Sequence, residues 1–160
     1  MNDVVIHSMQ YLNDGDLAGI AAYLKTLPPN NAAAPYAYDD AAAKALFNGD
    51  APTRGAQIYV DRCAGCHRTD GKDSGRAFPS LAGNSVLQTD DATSAIHIVL
   101  SGSTLPATKT APSAFTMAPY AWILTDQDIA DVVSFIQTSW GNAGTAATRS
   151  KVTALRKLAQ

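Results

Sequence analysis

The chain has 160 residues, 46% of them hydrophobic, and sets 12 basic side chains against 14 acidic ones for a formal net charge of −2. That is enough material for one compact domain with some additional segments. It provides neither the basic field of a nucleic-acid binder nor a strongly acidic surface, so proteins or small molecules are the expected partners.

The N-terminus MNDVVIHSMQ lacks the basic-then-apolar layout of a secretory signal. No apolar run approaches the roughly 18 residues of a membrane-spanning helix. Next comes LNDGDLAGIAAYLKT from Leu12, whose pattern L-[NT]-D-x-D-[LI]-A returns as LTDQDIADVVSFIQT from Leu124. This internal repeat predicts two amphipathic helices, each with one buried face. In the first, Leu17, Ile20, Ala21 and Leu24 form that face and Pro28 ends the helix. The segment LPPNNAAAPYAYDD then reads as an extended linker, with a boundary expected near residue 50. Thr53 can cap a helix through RGAQIYVDRCAGCH, with Ala56, Tyr59 and Val60 on one side and the cysteines at its C-terminal end. DDATSAIHIVLSG predicts a short helix starting near Asp91 or Thr93 and stopping before Gly102.

From Gly102 to Trp122 the chain holds three prolines and no sustained period, a length of loop that inside a compact domain is usually functional. The second copy of the repeat follows, with Thr125 as cap, Asp128 as the acidic partner of a capping box, Ile129, Val132, Val133 and Ile136 at helical spacing, and Gly141 at its end. The tail TRSKVTALRKLAQ sets Arg149, Lys151, Arg156 and Lys157 beside Val152, Leu155 and Leu158. Such a short basic amphipathic helix is either a surface helix, solvated or packed on its own domain, or one that touches anionic lipid or a partner subunit, and the first reading is favoured because so short an apolar stripe binds membranes weakly. No segment alternates in a way that demands a sheet, so the expected fold is all-α.

The two cysteines, Cys63 and Cys66, are too close together to staple a fold, and His67 follows the second directly. C-x-x-C-H is the spacing of c-type haem attachment: two thiols on one turn can form thioethers, and the adjacent imidazole can turn toward the iron. A thiol-disulfide pair would be expected near a βαβ pattern, which is missing, and a zinc site would need further ligands, for which only His7 and His97 are obvious. Met117, in the Pro-rich loop, is the favoured sixth ligand, although an isolated methionine more often fills core space. His97 reads as a hydrogen-bonded packing residue rather than a ligand. Pro79 in FPSLAG could offer its carbonyl to the proximal imidazole or be an ordinary turn proline.

With these residues in view, GAQIYVDRCAGCH, FPSLAGN, HIVLSGSTLPATKTAPSAFTMAPYAW and LTDQDIADVVSFIQTSWGN resemble class I cytochromes c, most of all the C-terminal haem domain of the cytochrome subunits of membrane-bound alcohol and gluconate dehydrogenases. The resemblance covers residues 53–142 and implies the class I fold, helices wrapped around one covalent haem c. It implies thioethers at Cys63 and Cys66, axial ligands His67 and Met117, and a Pro79 carbonyl bonded to His67. Tyr59, Phe78, Leu81 and Trp122 would lie around the haem, and Gly55 and Tyr59 would cross the last helix near Phe135. Residues 1–27 resemble the closing segment of a preceding haem domain, with 28–52 as linker and 143–160 as a basic tail. The chain departs from the family pattern at Ala118, which separates Met117 from Pro119.

The function implied is electron transfer, not catalysis. Iron closed by His and Met has no position for substrate, and the thioether raises its potential. Electrons would pass from a quinoprotein or flavoprotein dehydrogenase toward quinone, another cytochrome or a terminal oxidase. The site is expected to be periplasmic, at the outer face of the cytoplasmic membrane, with any export signal upstream. An apolar docking surface around Ala64 and TLPATKTAP is expected. The competing class is a haem enzyme or gas sensor with a labile Met117, for which His97 is the one available distal group.

Overall fold

The computed structural model describes residues 2–28, 35–74 and 77–158. Its contacts divide into one unit of residues 1–35 and 104–115 and another of residues 36–103 and 116–160.

The smaller unit opens with α1 (Asn2–His7), a 3-10 turn at Met9–Tyr11 and α2 (Asp14–Thr26). Asn13 caps α2: its side-chain oxygen accepts from the Asp16 amide at 2.9 Å and its Nδ2 donates to the Asp16 carboxylate at 2.7 Å. The helix stops at Thr26, just before Leu27 and Pro28, as proline geometry requires. Its expected buried face is not buried. Leu17, Ile20 and Leu24 are 37%, 42% and 57% exposed, because no element among the described residues of this unit lies over them. The loop 104–115 joins the same unit, where Asn2 Nδ2 donates to the Thr104 carbonyl at 2.9 Å and the Lys109 amide donates to Gln10 at 3.1 Å.

The larger unit is built from α3 (Ala41–Phe47), α4 (Arg54–Arg62), α5 (Ala64–His67), a 3-10 turn (Ser85–Gln88), α6 (Thr93–Ser101), α7 (Asp126–Thr138) and α8 (Arg149–Leu158). The two-residue strands β1 (Ser103–Thr104) and β2 (Thr116–Met117) pair with each other, so the fold is all-α with one minimal ribbon. Residues 36–52, read as linker, hold α3 and place Leu46 in the core, while residues 29–34 lie outside the described set. They are drawn in by aromatic anchors: the Tyr36 hydroxyl donates to the Trp140 carbonyl at 2.7 Å and the Tyr38 hydroxyl to the Asp70 carbonyl at 3.2 Å.

The α4–α7 crossing organises the core. Gly55, Ala56, Ile58 and Tyr59 are buried on α4, whereas Val60, expected on that face, is 41% exposed. With 3.6 residues per turn, positions 55, 56, 58 and 59 share one face and 60 turns away from it. A Cβ on Gly55 would come within 2.2 Å of the Asp131 carbonyl oxygen, so the two backbones touch there. On α7 the capping box forms as expected, and Ile129, Val132, Val133 and Ile136 are all buried. This copy of the repeat has what α2 lacks, a helix to cross. The tail follows the own-domain reading: α8 packs on α6 and α7 with Val152 fully buried and Leu155 partly buried, leaving Leu158 83% exposed. The Val152 and Leu155 part of its apolar stripe therefore faces the domain.

Candidate functional site

The helix that carries the C-x-x-C-H motif is not continuous. Thr53 caps α4 by accepting from the Ala56 amide at 3.1 Å, α4 stops at Arg62, and Cys63 is the joint at which α5 restarts with Cys66 and His67. The His67 amide still bonds the Cys63 carbonyl at 2.9 Å, so both thiols and the imidazole lie within a single turn. Arg68 then takes φ 61° and ψ 164°, a backbone state that is essentially glycine's own. Tyr59 holds it there. Its hydroxyl donates to the Arg68 carbonyl at 2.6 Å, with the His67 carbonyl 3.2 Å from the same oxygen. The ring is fully buried, 5.4 Å from Phe135 and 5.1 Å from Trp140 between centroids. Tyr59 thus fixes the turn bearing His67 from behind.

His67 Nδ1 lies 3.3 Å from the Pro79 carbonyl oxygen. A carbonyl only accepts, so this contact puts the proton on Nδ1 and leaves the Nε2 lone pair for another partner. Burial lowers the imidazole pKa, and the Pro79 hydrogen bond opposes it more weakly. Phe78 stands edge-on to the imidazole at 6.4 Å, and Leu81 packs partly buried against the core.

The loop that presents Pro79 is tied down by residues sequence reading did not single out. Trp140 Nε1 donates to the Thr69 carbonyl at 3.0 Å, and Gly71 lies so close that a Cβ there would sit 2.7 Å from the indole. Buried Asn142 uses its whole amide: Nδ2 donates to the Leu81 and Ile136 carbonyls at 3.0 and 2.9 Å, while its oxygen accepts from the Gly83 amide and Gln88. Nothing local in the sequence marks these roles, since the partners of Asn142 include residues 61 and 59 positions away.

Met117 is half-buried on β2 and packs against the core. Gly102, at φ 73°, lets α6 end against it: a Cβ there would lie 2.5 Å from the Met117 carbonyl oxygen. The following segment is fastened to its neighbours, with the Tyr120 amide donating to the Val99 carbonyl at 3.0 Å and the Tyr120 hydroxyl to the Arg62 carbonyl at 2.8 Å. Trp122, expected beside a haem, is 79% exposed and donates Nε1 to the Pro119 carbonyl at 3.0 Å. His97, expected as a hydrogen-bonded packing residue, is exposed instead; it lies on the turn of α6 opposite Ile96, Val99 and Leu100, which fill the core.

The chemistry of the donors discriminates between the readings of the cysteine motif. Burial, with a smaller contribution from Cys66, pushes the Cys63 thiol up to about 12. A disulfide exchanger needs the opposite, a thiol readily ionised near neutral pH. Among the described residues no group of three or more His, Cys, Asp or Glu side chains converges to hold a metal ion. Two thiols and one oriented imidazole on a single turn are, by contrast, the donor set that covalent haem attachment needs.

Comparison with known proteins agrees. A model of the cytochrome c family matches residues 52–140. The gluconate 2-dehydrogenase cytochrome c subunit of Pantoea cypripedii is 48% identical over 98% of this chain and 36% of its own length. The cytochrome c subunit of the quinone alcohol dehydrogenase of Gluconacetobacter polyoxogenes is 48% identical over 98% of this chain and 34% of its own. The fructose dehydrogenase cytochrome subunit of Gluconobacter japonicus is 30% identical over 89% of this chain and 33% of its own. The chain thus spans about a third of the length of these relatives. With a family match over more than half its residues and a motif whose local geometry suits covalent haem c, the chain belongs to the cytochrome c family of electron carriers.

Proposed function

We propose that this chain is the electron-transfer domain of a dehydrogenase cytochrome subunit, with Cys63 and Cys66 in thioethers and His67 and Met117 as axial ligands. The observation that carries the proposal is the His67–Pro79 contact at 3.3 Å, which orients the imidazole and frees Nε2 within the C-x-x-C-H turn. The haem supplies one-electron exchange. The protein supplies the rest: Tyr59 fixes the turn that bears His67, Asn142 and Trp140 hold the loop that bears Pro79, and Gly102 admits the Met117 strand against α6. Phe78 and Leu81 belong to the apolar surroundings that keep water from the iron and so favour the reduced state.

The relatives named as cytochrome subunits of gluconate, alcohol and fructose dehydrogenases support a dehydrogenase as electron donor. Quinone, another cytochrome or an oxidase would be the acceptor. Covalent haem attachment supports a periplasmic site, with association at the outer face of the cytoplasmic membrane through the rest of the complex; among the described residues no helix is long and apolar enough to cross a membrane. Residues 53–142 form the haem domain, and residues 1–27 close a preceding one. The second assignment is supported by the repeat, whose C-terminal copy buries on α4 the face that α2 leaves exposed.

The decisive experiment is the visible spectrum of the reduced, haem-loaded protein before and after carbon monoxide, with Met117→Ala beside it. An unchanged parent and a responsive variant support a sixth position closed by Met117. A parent that binds carbon monoxide rejects that ligation and moves the chain toward gas binding or catalysis.

A further inference from the structure

We propose that Arg156, on the C-terminal helix outside the family match, is a positioning residue that clasps the segment behind Met117 and thereby keeps the methionine on the iron. This rests on the reading of Met117 as a ligand. The residues involved are the half-buried pair Arg156 and Asp126, whose side chains are 21% and 19% exposed. Arg156 directs its fork at three acceptors: Nε donates to the Asp126 carboxylate at 2.6 Å, Nη2 to the Leu124 carbonyl at 2.8 Å, and Nη1 to the Ala121 carbonyl. Thr153, one turn earlier on α8, donates to the other Asp126 oxygen at 2.5 Å. The helix is itself anchored, by buried Val152 and by the Lys151–Asp91 ion pair.

Those acceptors mark the stretch between Met117 and the start of α7. Its amide side is already bonded to α6 through the Tyr120 and Ala121 amides. Arg156 bonds its carbonyl side, so the stretch is held between α6 and α8. Charged donors to partly buried carbonyls are the stronger class of hydrogen bond, and removing the guanidinium also takes the Asp126 carboxylate's charged partner, leaving it the Thr153 hydroxyl. Sub-global opening of such a loop is the ordinary way a ligand residue leaves its site while the core stays folded. Asp126 opens the repeat helix, yet its guanidinium partner comes from the distant α8, so the clasp is a tertiary feature.

The test uses the full haem-loaded chain in the ferric state, following the methionine-to-iron charge-transfer band and far-ultraviolet ellipticity along one guanidinium titration. For Arg156→Ala the band should disappear well before the ellipticity, with the Met-detached fraction under native conditions raised about tenfold or more. Arg156→Lys should fall between parent and alanine variant, since an ammonium cannot span three acceptors in one plane. Lys151→Ala, which loosens α8 without touching the segment, should shift band and ellipticity together. If Arg156→Ala moves both signals together or neither, the clasp is overturned while Met117 ligation stands. A parent without the band overturns the ligand reading and the clasp with it. Should the alanine variant fail to accumulate, the lysine variant decides by the same comparison.

Discussion

Gly55→Ala tests the helix crossing on which the domain depends. The added methyl carbon would lie 2.2 Å from the Asp131 carbonyl oxygen, 2.8 Å from its carbon and 3.0 Å from Phe135 Cβ. A comfortable carbon-to-oxygen contact is about 3.3 Å, so the backbones must part by roughly 1 Å. The obstacle is backbone, and α7 cannot yield locally: its start is pinned by the capping box and by Arg54 to Asp128 at 2.8 Å, and its side by α8. A gap of about 1 Å forfeits a quarter to a half of each dispersion contact across the interface, including those of fully buried Tyr59, Ile129 and Val133. Alanine's advantage over glycine in a helix interior, up to about 1 kcal/mol, is reduced at the second helical residue. The net expectation is about 3 kcal/mol of destabilisation, at the upper end of overpacking costs. Guanidinium unfolding of the haem-loaded protein, followed by far-ultraviolet ellipticity, should show a midpoint lowered by about 0.7 M at an m-value near 4 kcal/mol/M. Gly19→Ala on α2, where nothing lies within 4 Å, serves as control and should leave that midpoint in place or raise it by up to about 0.25 M, alanine being the better helix former. A Gly55→Ala midpoint within about 0.2 M of the parent would refute the close crossing.

Tyr59→Phe keeps the ring packing but removes the hydroxyl that bonds the Arg68 carbonyl, and should cost about 1 to 3 kcal/mol by chemical unfolding because a strained backbone loses its restraint. Thr125→Ala removes half of the α7 capping box and should cost about 1 kcal/mol in the same assay. Asp91, Asp126 and Asp128 are all held below the ordinary carboxylate range, Asp91 mainly by its bond from Lys151, Asp126 by Thr153 and then Arg156, and Asp128 chiefly by Thr125. A depressed folded pKa means stability that is complete above the unfolded value of about 3.9 and is lost as pH falls below it, so unfolding midpoints should hold from pH 7 to about 5 and then decline. Electron-transfer rates with a redox partner should change little between low and moderate salt, since the chain carries a formal net charge of only −2; a steep fall would argue for charged docking.

The sequence alone determined the chemistry and most of the helices. C-x-x-C-H is a local motif, and its requirement that two thiols and an imidazole share one turn is met inside residues 63–67. The caps at Thr53 and Thr125 and the buried positions of α7 were also legible, because capping and amphipathic period are set by residues within a few places of one another. The same periodicity misled at α2: it reports that a face is apolar and is silent on whether anything covers it. The inclusion of residues 36–52 in the larger unit depended on Tyr36 meeting Trp140, more than a hundred residues on. The aim of Pro79 depended on Asn142 and Trp140, and the restraint behind Met117 on Arg156. Each is a hydrogen bond between segments far apart in the chain, made by a side chain whose type fits many surroundings. Only the packed tertiary structure selects its partner.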